Sequence, residues 1–306
     1  MSGSESRVLG RQNSDSQLRL LLAQRYLYGR AKRWRGVQVA CTVFLPALLA
    51  VIVPTGLRAW VALSALLLVA LDEVFLEPAI SDSQKKAASV QEGFDTEVFE
   101  LEWPAWRAAR PAPETVCAGV RDAERASRSI EVEQLEDWYP RAIGRVPHPL
   151  SVLVCQRFNI VYGLTLRTNV VRVLTAVLLI ALAVPLLIAQ ASGWSIATLL
   201  IEGVLPALPI IRWAWRELNR HKKHAASQER LQQTIERVAR DAARGALAES
   251  EVRLWLRRLQ DEVFGLRTTD VPIFDWVYWL LRKRAEPTLN AAAEAYVDEL
   301  RALLPR

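Results

Sequence analysis

The sequence has few of the residues from which catalytic and metal-binding sites are usually built. It contains three histidines and three cysteines among 306 residues. The cysteines, Cys41, Cys117 and Cys155, stand far apart and match no zinc-binding spacing. An odd, scattered set is typical of a reducing compartment and argues against a disulfide-bonded scaffold. We therefore expect no metal, no cofactor and no disulfide framework.

Sequence motifs of enzymes are also missing. The chain has no P-loop and no G-x-S-x-G, H-E-x-x-H or C-x-x-C motif. An enzyme would have to use Glu92, Asp95 or Glu97 as acid or base, but carboxylates on one side of an amphipathic helix usually form its solvated face. His221 and His224 lie in a basic run beside an apolar segment, where a solvated or lipid-facing role is expected. We expect no enzyme activity and no catalytic residues.

Two long apolar runs indicate a membrane protein. Residues Val173 to Ala189 form an uncharged run of seventeen, and Trp194 to Trp215 carries only Glu202 and Arg212. As helices these runs would be roughly 26–33 Å long, the thickness of the hydrocarbon core of a bilayer. The four residues 190–193 between them form a tight turn. The sequence predicts a transmembrane hairpin here.

A second pair of apolar runs lies earlier in the chain. Val37 to Pro54 is uncharged, residues 55–56 (Thr-Gly) suit a turn, and Leu57 to Leu76 returns. Asp72 and Glu73 fall near the inner end of the returning helix, where they are expected to face water or the neighbouring basic flank. The predicted fold is therefore an all-α membrane protein with two transmembrane hairpins, four helices in all, and a helical cytoplasmic module.

Lysine and arginine counts predict the orientation of these helices. The outer turns hold a single arginine, Arg58, and the remaining basic residues near the helix ends lie on the other side. Those inner residues are the five between Arg25 and Arg35, with Lys85, Lys86, Arg167, Arg172, Arg212, Arg216, Arg220, Lys222 and Lys223. By the positive-inside rule, both termini and the central segment are cytoplasmic, and the basic flanks attract anionic lipid. Direct binding of DNA or RNA is the weaker interpretation of the same charge.

The chain then divides into six segments. They are a disordered tail (1–16), a basic cytoplasmic helix (17–36), hairpin 1 (37–76), a central cytoplasmic helical segment (77–169), hairpin 2 (170–215) and a C-terminal cytoplasmic helical segment (216–306). In the central segment Val90, Phe94, Val98 and Leu101 form an apolar helical stripe, and residues 114–139 are predicted to be helical. In the C-terminal segment, residues 271–281 are predicted as a docked or interfacial helix, and Pro287 is predicted to break the chain before a last helix, 289–304.

Five short motifs give the sequence a recognisable order. They are AQRYLYGRAK (23–32), AASVQEGFDTEVFELEW (87–103), Trp138-Tyr139, CQRFNIVYGLTLR (155–167) and LQDEVFGLRTTDVPIFDWVY (259–278). With two hairpins interleaved between them, they resemble the SMODS-associating four-transmembrane effectors, over most of residues 17–285. Pro104 stands where that family commonly has asparagine, which affects the connector that follows.

The resemblance implies a function. Proteins of this family look like the killing arm of bacterial anti-phage systems, activated by a cyclic oligonucleotide from a partner nucleotidyltransferase. The activated protein is expected to assemble as a homo-oligomer and to form a pore in the bacterial inner membrane, causing abortive infection. Two alternatives stay open: a membrane scaffold or sensor that binds a protein partner through its cytoplasmic helices, and a membrane-embedded enzyme.

Two sets of residues are candidates for function. A cyclic oligonucleotide presents phosphates and bases, so its site should combine cationic and aromatic side chains. The candidates are Arg157, Phe158, Asn159, Trp138, Tyr139 and Arg141, with Arg25 and Tyr26 as a further pair, although these aromatics could instead pack the module together. Glu202 lies near the predicted bilayer midplane, followed by Pro206, and is expected to face the helix interface and line the pore on assembly. A neutral Glu202 hydrogen-bonded inside the bundle is the alternative.

Overall fold

The computed structural model describes residues 7–54, 57–104, 109–126 and 135–305, and the regular elements in these ranges are all helices. In chain order they are α1 (Arg7–Gln12), α2 (Asp15–Val39), a π-helical turn (Ala40–Phe44), α3 (Leu45–Ile52), α4 (Arg58–Leu71), a second π-helical turn (Asp72–Leu76), α5 (Glu77–Phe99), α6 (Pro113–Arg125), a 3-10 turn (Arg141–Arg145), α7 (His148–Ser192), α8 (Ile196–Thr198), a third π-helical turn (Leu199–Val204), α9 (Leu205–Ala243), α10 (Glu249–Thr269) and α11 (Asp275–Ala302). The predicted all-α class is confirmed for the described residues.

Two helices in the described part of the chain are long and apolar enough to cross a membrane. They are α7 and the continuous helical stretch Ile196–Ala243, which contains α8, the third π-helical turn and α9. Gly193 ends α7 in the left-handed conformation (φ 62°), and the Trp194 amide donates to the Ala189 carbonyl oxygen at 2.9 Å. Large apolar side chains on α7 face outward, with Ile180 61% and Leu187 63% exposed. Such a surface is typical of contact with lipid.

The predicted first hairpin is built in a similar way. Its two arms are also continuous helical stretches that contain π-helical turns: α2, residues 40–44 and α3 form one, and α4, residues 72–76 and α5 form the other. Leu48, Val51 and Leu66 are more than half exposed, as in the second hairpin. The predicted turn at residues 55–56 lies outside the described residues. A membrane-spanning role for hairpin 1 stays a prediction.

The water-facing ends of the helices build one main hydrophobic core. Phe94 and Val98 of α5, Leu153 of α7, Ile235 of α9 and Val297 of α11 are all buried within it. The predicted apolar stripe is confirmed for Val90, Phe94 and Val98, which have no exposed surface, whereas Leu101 lies beyond the end of α5 and is half-buried. The half of α7 that contributes to this core continues without interruption into its apolar half. The core and the membrane-facing surface therefore share the same helices.

Residues 7–16 are ordered in the structure. They form α1 and the first turn of α2, with Val8 and Gln12 fully buried. Gln12 Oε1 accepts a hydrogen bond from the Tyr139 amide at 2.9 Å. The predicted disordered tail is therefore wrong for residues 7–16, because one valine and one glutamine within a polar stretch pack against distant parts of the chain.

Two predicted helix boundaries also differ from the structure. The helix predicted over 114–139 ends at Arg125, residues 127–134 lie outside the described part, and the chain turns at 135–137. Helix α11 begins at Asp275 and passes through Pro287 without a break. A proline inside a helix costs about 3 kcal/mol. Burial of Tyr296, Val297 and Leu300 on the same helix offsets that cost.

Candidate functional site

Two acidic residues of α5 lie at the centre of the water-facing module. Glu92 and Asp95 are fully buried. Asp95 Oδ2 accepts hydrogen bonds from Arg267 Nη1 at 2.6 Å and from Gln260 Nε2 at 3.0 Å. Glu92 accepts from Arg257 Nη2 at 2.7 Å and from Gln260 Nε2 at 2.8 Å. The spacing of three residues places both carboxylates on one face of α5, opposite α10.

Helix α7 and the segment before it complete this group. The Tyr139 hydroxyl donates to Asp95 Oδ1 at 2.7 Å, and Asn159 Nδ2 donates to the Tyr139 hydroxyl oxygen at 3.0 Å. Gln156 Nε2 donates to the Leu256 carbonyl oxygen at 2.9 Å. We call this group the cytoplasmic cluster, after the predicted location of its segments; its members are Glu92, Asp95, Tyr139, Gln156, Asn159, Arg257, Gln260 and Arg267. Its hydrogen bonds and ion pairs connect α5, α7 and α10.

The expectation that these carboxylates lie on a solvated helix face is wrong for Glu92 and Asp95, although Glu97 is exposed. Burial raises the pKa of Glu92, and the nearby Asp95 raises it further, while bonds from Arg257 and Gln260 oppose the change. Burial also raises the pKa of the Tyr139 hydroxyl well above its ordinary value. The Tyr139 hydroxyl therefore stays protonated at neutral pH and acts as a hydrogen-bond donor.

The residues predicted to bind a ligand occupy several different environments. Arg157 Nε donates to Glu236 Oε1 at 2.7 Å, and its guanidinium lies 4.3 Å from the centre of the Tyr296 ring. Phe158 packs against the main core, with its ring centre 6.3 Å from that of Tyr162. These contacts bind α7 to α9 and α11. They favour a packing role for both side chains.

Three further candidates for ligand binding, Trp138, Tyr139 and Arg141, also lie in different environments. Trp138 packs edge-to-face on Phe94, with ring centres 6.4 Å apart, and Tyr139 has no exposed surface. Arg141 is exposed and pairs with Asp137 at 2.7 Å. The structure brings Tyr139 into contact with Asn159 but does not gather the six residues on one accessible surface. The ligand site stays a prediction, and the alternative of packing aromatics gains support.

A second buried polar group lies where the helices approach the predicted membrane. Arg35 of α2 is 2% exposed, donates to Gln38 Oε1 at 2.5 Å and forms an ion pair with Glu217 of α9. Gln38 Nε2 donates to Asp72 Oδ1 at 2.6 Å and to Glu77 Oε2 at 2.8 Å. Arg220 lies 3.5 Å from Glu217 and 3.9 Å from Glu77. We call Arg35, Gln38, Asp72, Glu77, Glu217 and Arg220 the juxtamembrane cluster.

Asp72 was expected to face water or the basic flank; it is buried, whereas Glu73 is exposed.

Further polar contacts extend from the cytoplasmic cluster to α9. Gln84 Nε2 donates to the Arg267 carbonyl oxygen at 3.0 Å and to that of Asp270. The Asp270 carboxylate pairs with Arg167 of α7, whose Nη1 lies 3.3 Å from His221 Nδ1 on α9. His221 is 3% exposed, so the solvated or lipid-facing role expected for it is wrong. A path of hydrogen bonds and ion pairs therefore runs from Asp95 to α9.

Glu202 and Pro206 lie on the membrane part of the second hairpin. Glu202 belongs to the third π-helical turn and is exposed on the surface of the single chain, whereas Pro206 is half-buried near the start of α9. The next residue, Gly203, marks a close approach, since a Cβ there would lie 3.0 Å from Pro185 Cβ of α7. The single chain therefore does not enclose the Glu202 side chain.

Comparison with known proteins places the chain in a class of effector proteins. The chain belongs to the SMODS-associating 4TM effector domain family, which matches residues 6–296. It is 25% identical over 289 residues to a protein of Bacillus cereus (strain VD146) described as a probable CBASS effector molecule; the alignment covers 90% of this chain and 94% of the relative. No solved structure matches the chain. The family resemblance drawn from the five motifs is confirmed.

Proposed function

We propose that this protein is a CBASS-type effector that permeabilises the bacterial cell membrane when a cyclic oligonucleotide binds its water-facing module. Its family membership over residues 6–296 carries the proposal. The two helices long and apolar enough to cross a membrane supply the required membrane part. We further propose that the protein acts without catalysing a reaction and that a partner nucleotidyltransferase makes the activating nucleotide.

The juxtamembrane cluster supports a topology of four membrane helices. It joins Arg35 before α3, Asp72 and Glu77 after α4, and Glu217 near the membrane part of α9. Side chains from both hairpins therefore meet at one depth, on the side where the basic residues concentrate. Trp34 and Trp215 are exposed near this level, as expected of an aromatic belt. With this level on the cytoplasmic side, both termini are cytoplasmic.

Helix α7 offers a route from ligand binding to the membrane. Its 45 residues run from the main core to the far turn without a break. At 1.5 Å per residue the helix is about 67 Å long. Asn159 and Arg167 couple it to both ends of the polar path described above. A ligand that favours one position of α7 would shift the membrane helices by its differential affinity for the two states.

Assembly of several copies completes the proposed mechanism. Four helices form only a small bundle, so a pore requires a homo-oligomer. A charged side chain near the bilayer midplane usually faces a helix interface or a water-filled cavity. Glu202 is exposed on the single chain, and we expect assembly to place it at such an interface or in the lumen of the pore.

The test is leakage from dye-loaded vesicles that contain the purified full chain. We expect leakage after addition of one member of a panel of cyclic oligonucleotides, and none after addition of linear nucleotides. Glu202→Leu should reduce the leakage or change its ion selectivity. Glu229→Leu, on the same helix outside the membrane, should leave both unchanged.

The alternatives give different results in this experiment. Nucleotide binding without leakage would favour the membrane scaffold or sensor. Unchanged leakage and selectivity in Glu202→Leu would remove Glu202 from the pore while leaving permeabilisation intact.

A further inference from the structure

The outward face of α9 carries a row of cationic side chains just beyond its apolar part. We call this row the α9 basic stripe; its residues are Arg212, Trp215, Arg216, Asn219, Lys222 and Lys223. Their spacings of three and four residues place them on one helix face, and all six are exposed. The stripe is about 17 Å long, at 1.5 Å per residue. The six side chains together form an elongated surface with four cations and one indole ring.

The charge on this surface has little internal compensation. In the described parts of the chain, no carboxylate lies within ion-pair distance of Arg212, Lys222 or Lys223. Arg216 lies 3.6 Å from Glu217, but Glu217 is buried on the other side of α9 and already pairs with Arg35. A fixed excess of positive charge of this kind attracts phosphate groups.

Below the stripe, the same helix face is apolar. Ile201, Leu205 and Leu208 lie on it one to three turns away and are 52%, 64% and 50% exposed. The opposite face, with Trp213, packs against the other helices. The outward face therefore presents an apolar half next to a cationic half. A phospholipid has the same two parts in the same order, whereas a soluble phosphate or nucleotide has no hydrocarbon for the apolar half.

We propose that the α9 basic stripe binds the phosphate headgroups of anionic phospholipids in the leaflet on the side of the water-facing module. The acyl chains lie along Ile201, Leu205 and Leu208, and the Trp215 ring sits at headgroup level, where an amphipathic ring is stable. Bound lipid fixes the depth at which α9 leaves the membrane. The inference rests on the proposed membrane placement of α9 and is independent of nucleotide activation.

The experiment compares two double variants of the full chain, purified in detergent, by native mass spectrometry with added phosphatidylglycerol or phosphatidylcholine. Arg212→Gln/Arg216→Gln removes two cations of the stripe. Arg230→Gln/Arg237→Gln removes two exposed cations from the same face, farther from the membrane. Arg230 lies about 21 Å along the helix from Arg216, beyond the roughly 8 Å Debye length at physiological salt.

The wild-type chain and the control variant should retain phosphatidylglycerol in preference to phosphatidylcholine. Each cation beside an anionic surface contributes roughly fivefold to binding, so the stripe variant should lose roughly 30-fold in affinity for phosphatidylglycerol. Its affinity for phosphatidylcholine should not change. Circular dichroism and recovery from the membrane fraction establish that both variants fold and insert.

Three results would overturn the inference. Equal losses in the two double variants would show that net charge alone is responsible, and equal retention of both lipids would show that no anionic site exists. Displacement of phosphatidylglycerol from the stripe by a cyclic dinucleotide would assign the surface to a soluble ligand. A chain absent from the membrane fraction would instead refute the proposed membrane placement, and a lack of leakage from vesicles would bear only on the proposed pore.

Discussion

The cytoplasmic cluster and the juxtamembrane cluster both bury charged groups, but only the juxtamembrane cluster buries a cation, Arg35, beside its carboxylates Asp72 and Glu217. In the cytoplasmic cluster the carboxylates of Glu92 and Asp95 are fully buried, while Arg257 and Arg267 reach its edge with side chains 19% and 12% exposed. In the juxtamembrane cluster the Arg35 side chain is 3% exposed, and the Glu77 carboxylate reaches the edge at 39%. The first cluster is therefore closed to water, and the second is open on one side.

The two clusters also join different parts of the molecule. The cytoplasmic cluster connects α5, α7 and α10, which already share the main hydrophobic core. The juxtamembrane cluster connects α2 and the end of α4 to α9, and so links the two predicted hairpins. A buried ion pair adds little net stability but is costly to break. We infer that the first cluster fixes the packing of one module and that the second holds the two predicted hairpins together.

Removal of the Asp95 carboxylate should have the largest effect. Asp95→Ala deprives Arg267, Gln260 and the Tyr139 hydroxyl of their acceptor inside the core. Breaking a buried pair on one side costs about 3–5 kcal/mol. We expect a loss of stability of that size in thermal or denaturant unfolding of the detergent-solubilised protein.

The control is Asp298→Ala, which removes an exposed pair with Arg145 at 3.2 Å. Its effect should stay below about 1 kcal/mol. Similar losses for both variants would mean that the cytoplasmic cluster is not a main support of the module.

Replacing both partners of one ion pair in each cluster should distinguish the two clusters more clearly. Arg35→Met leaves Glu217 buried without its closest partner and should cost about 3 kcal/mol, whereas Arg35→Met/Glu217→Leu should recover at least half of the loss. The corresponding Asp95→Leu/Arg267→Met should not recover, because Tyr139 would still lack its acceptor. The measurement is the unfolding midpoint of the two double variants and of the single variants Arg35→Met and Asp95→Leu. Recovery in both double variants would contradict the difference described between the clusters.

The local sequence pattern was sufficient to predict those helices whose apolar side chains are buried in the core or exposed towards the predicted membrane. The uncharged run from Val173 to Ala189 predicted the helical course of α7 there, since a backbone in hydrocarbon must bond to itself. The stripe of Val90, Phe94 and Val98 predicted the buried face of α5. Both predictions use spacing within a single helix, where the period of 3.6 residues is a strong constraint.

The local sequence pattern could not predict the two buried polar clusters. Glu92 and Asp95 belong to a helix whose periodicity assigns acidic residues to water, and their partners Arg257 and Arg267 lie 165 and 172 residues away. The available signal was that Glu92, Asp95 and Arg267 all lie within the five motifs, although no enzyme motif accounts for them. The ordering of α1 was missed for the same reason, because Val8 is buried only through contacts with distant helices.

The smallest expected effect concerns acid sensitivity at the contact between α7 and α9. Burial lowers the pKa of His221 from its ordinary 6.5 to about 3, and nearby cationic groups from three helices (Arg167, His224, Arg35 and Arg220) add to the shift. The folded state therefore takes up the proton at lower pH than the unfolded state does. The stability that neutral His221 contributes is complete above pH 6.5 and is lost as the pH falls towards 3.

Between pH 7.5 and 5.5, His221 should reduce the stability of the wild-type protein by about 1.4 kcal/mol. His221→Gln keeps an acceptor for Arg167 but cannot be protonated, so its stability should depend less on pH by that amount. The measurement is the unfolding midpoint of both proteins at half-unit pH steps, and their difference should be constant above pH 7.5, where histidine is neutral in both states. Parallel curves down to pH 5.5 would show that His221 titrates normally, as a solvated residue does, and that the buried contact with Arg167 does not hold α7 against α9 in solution.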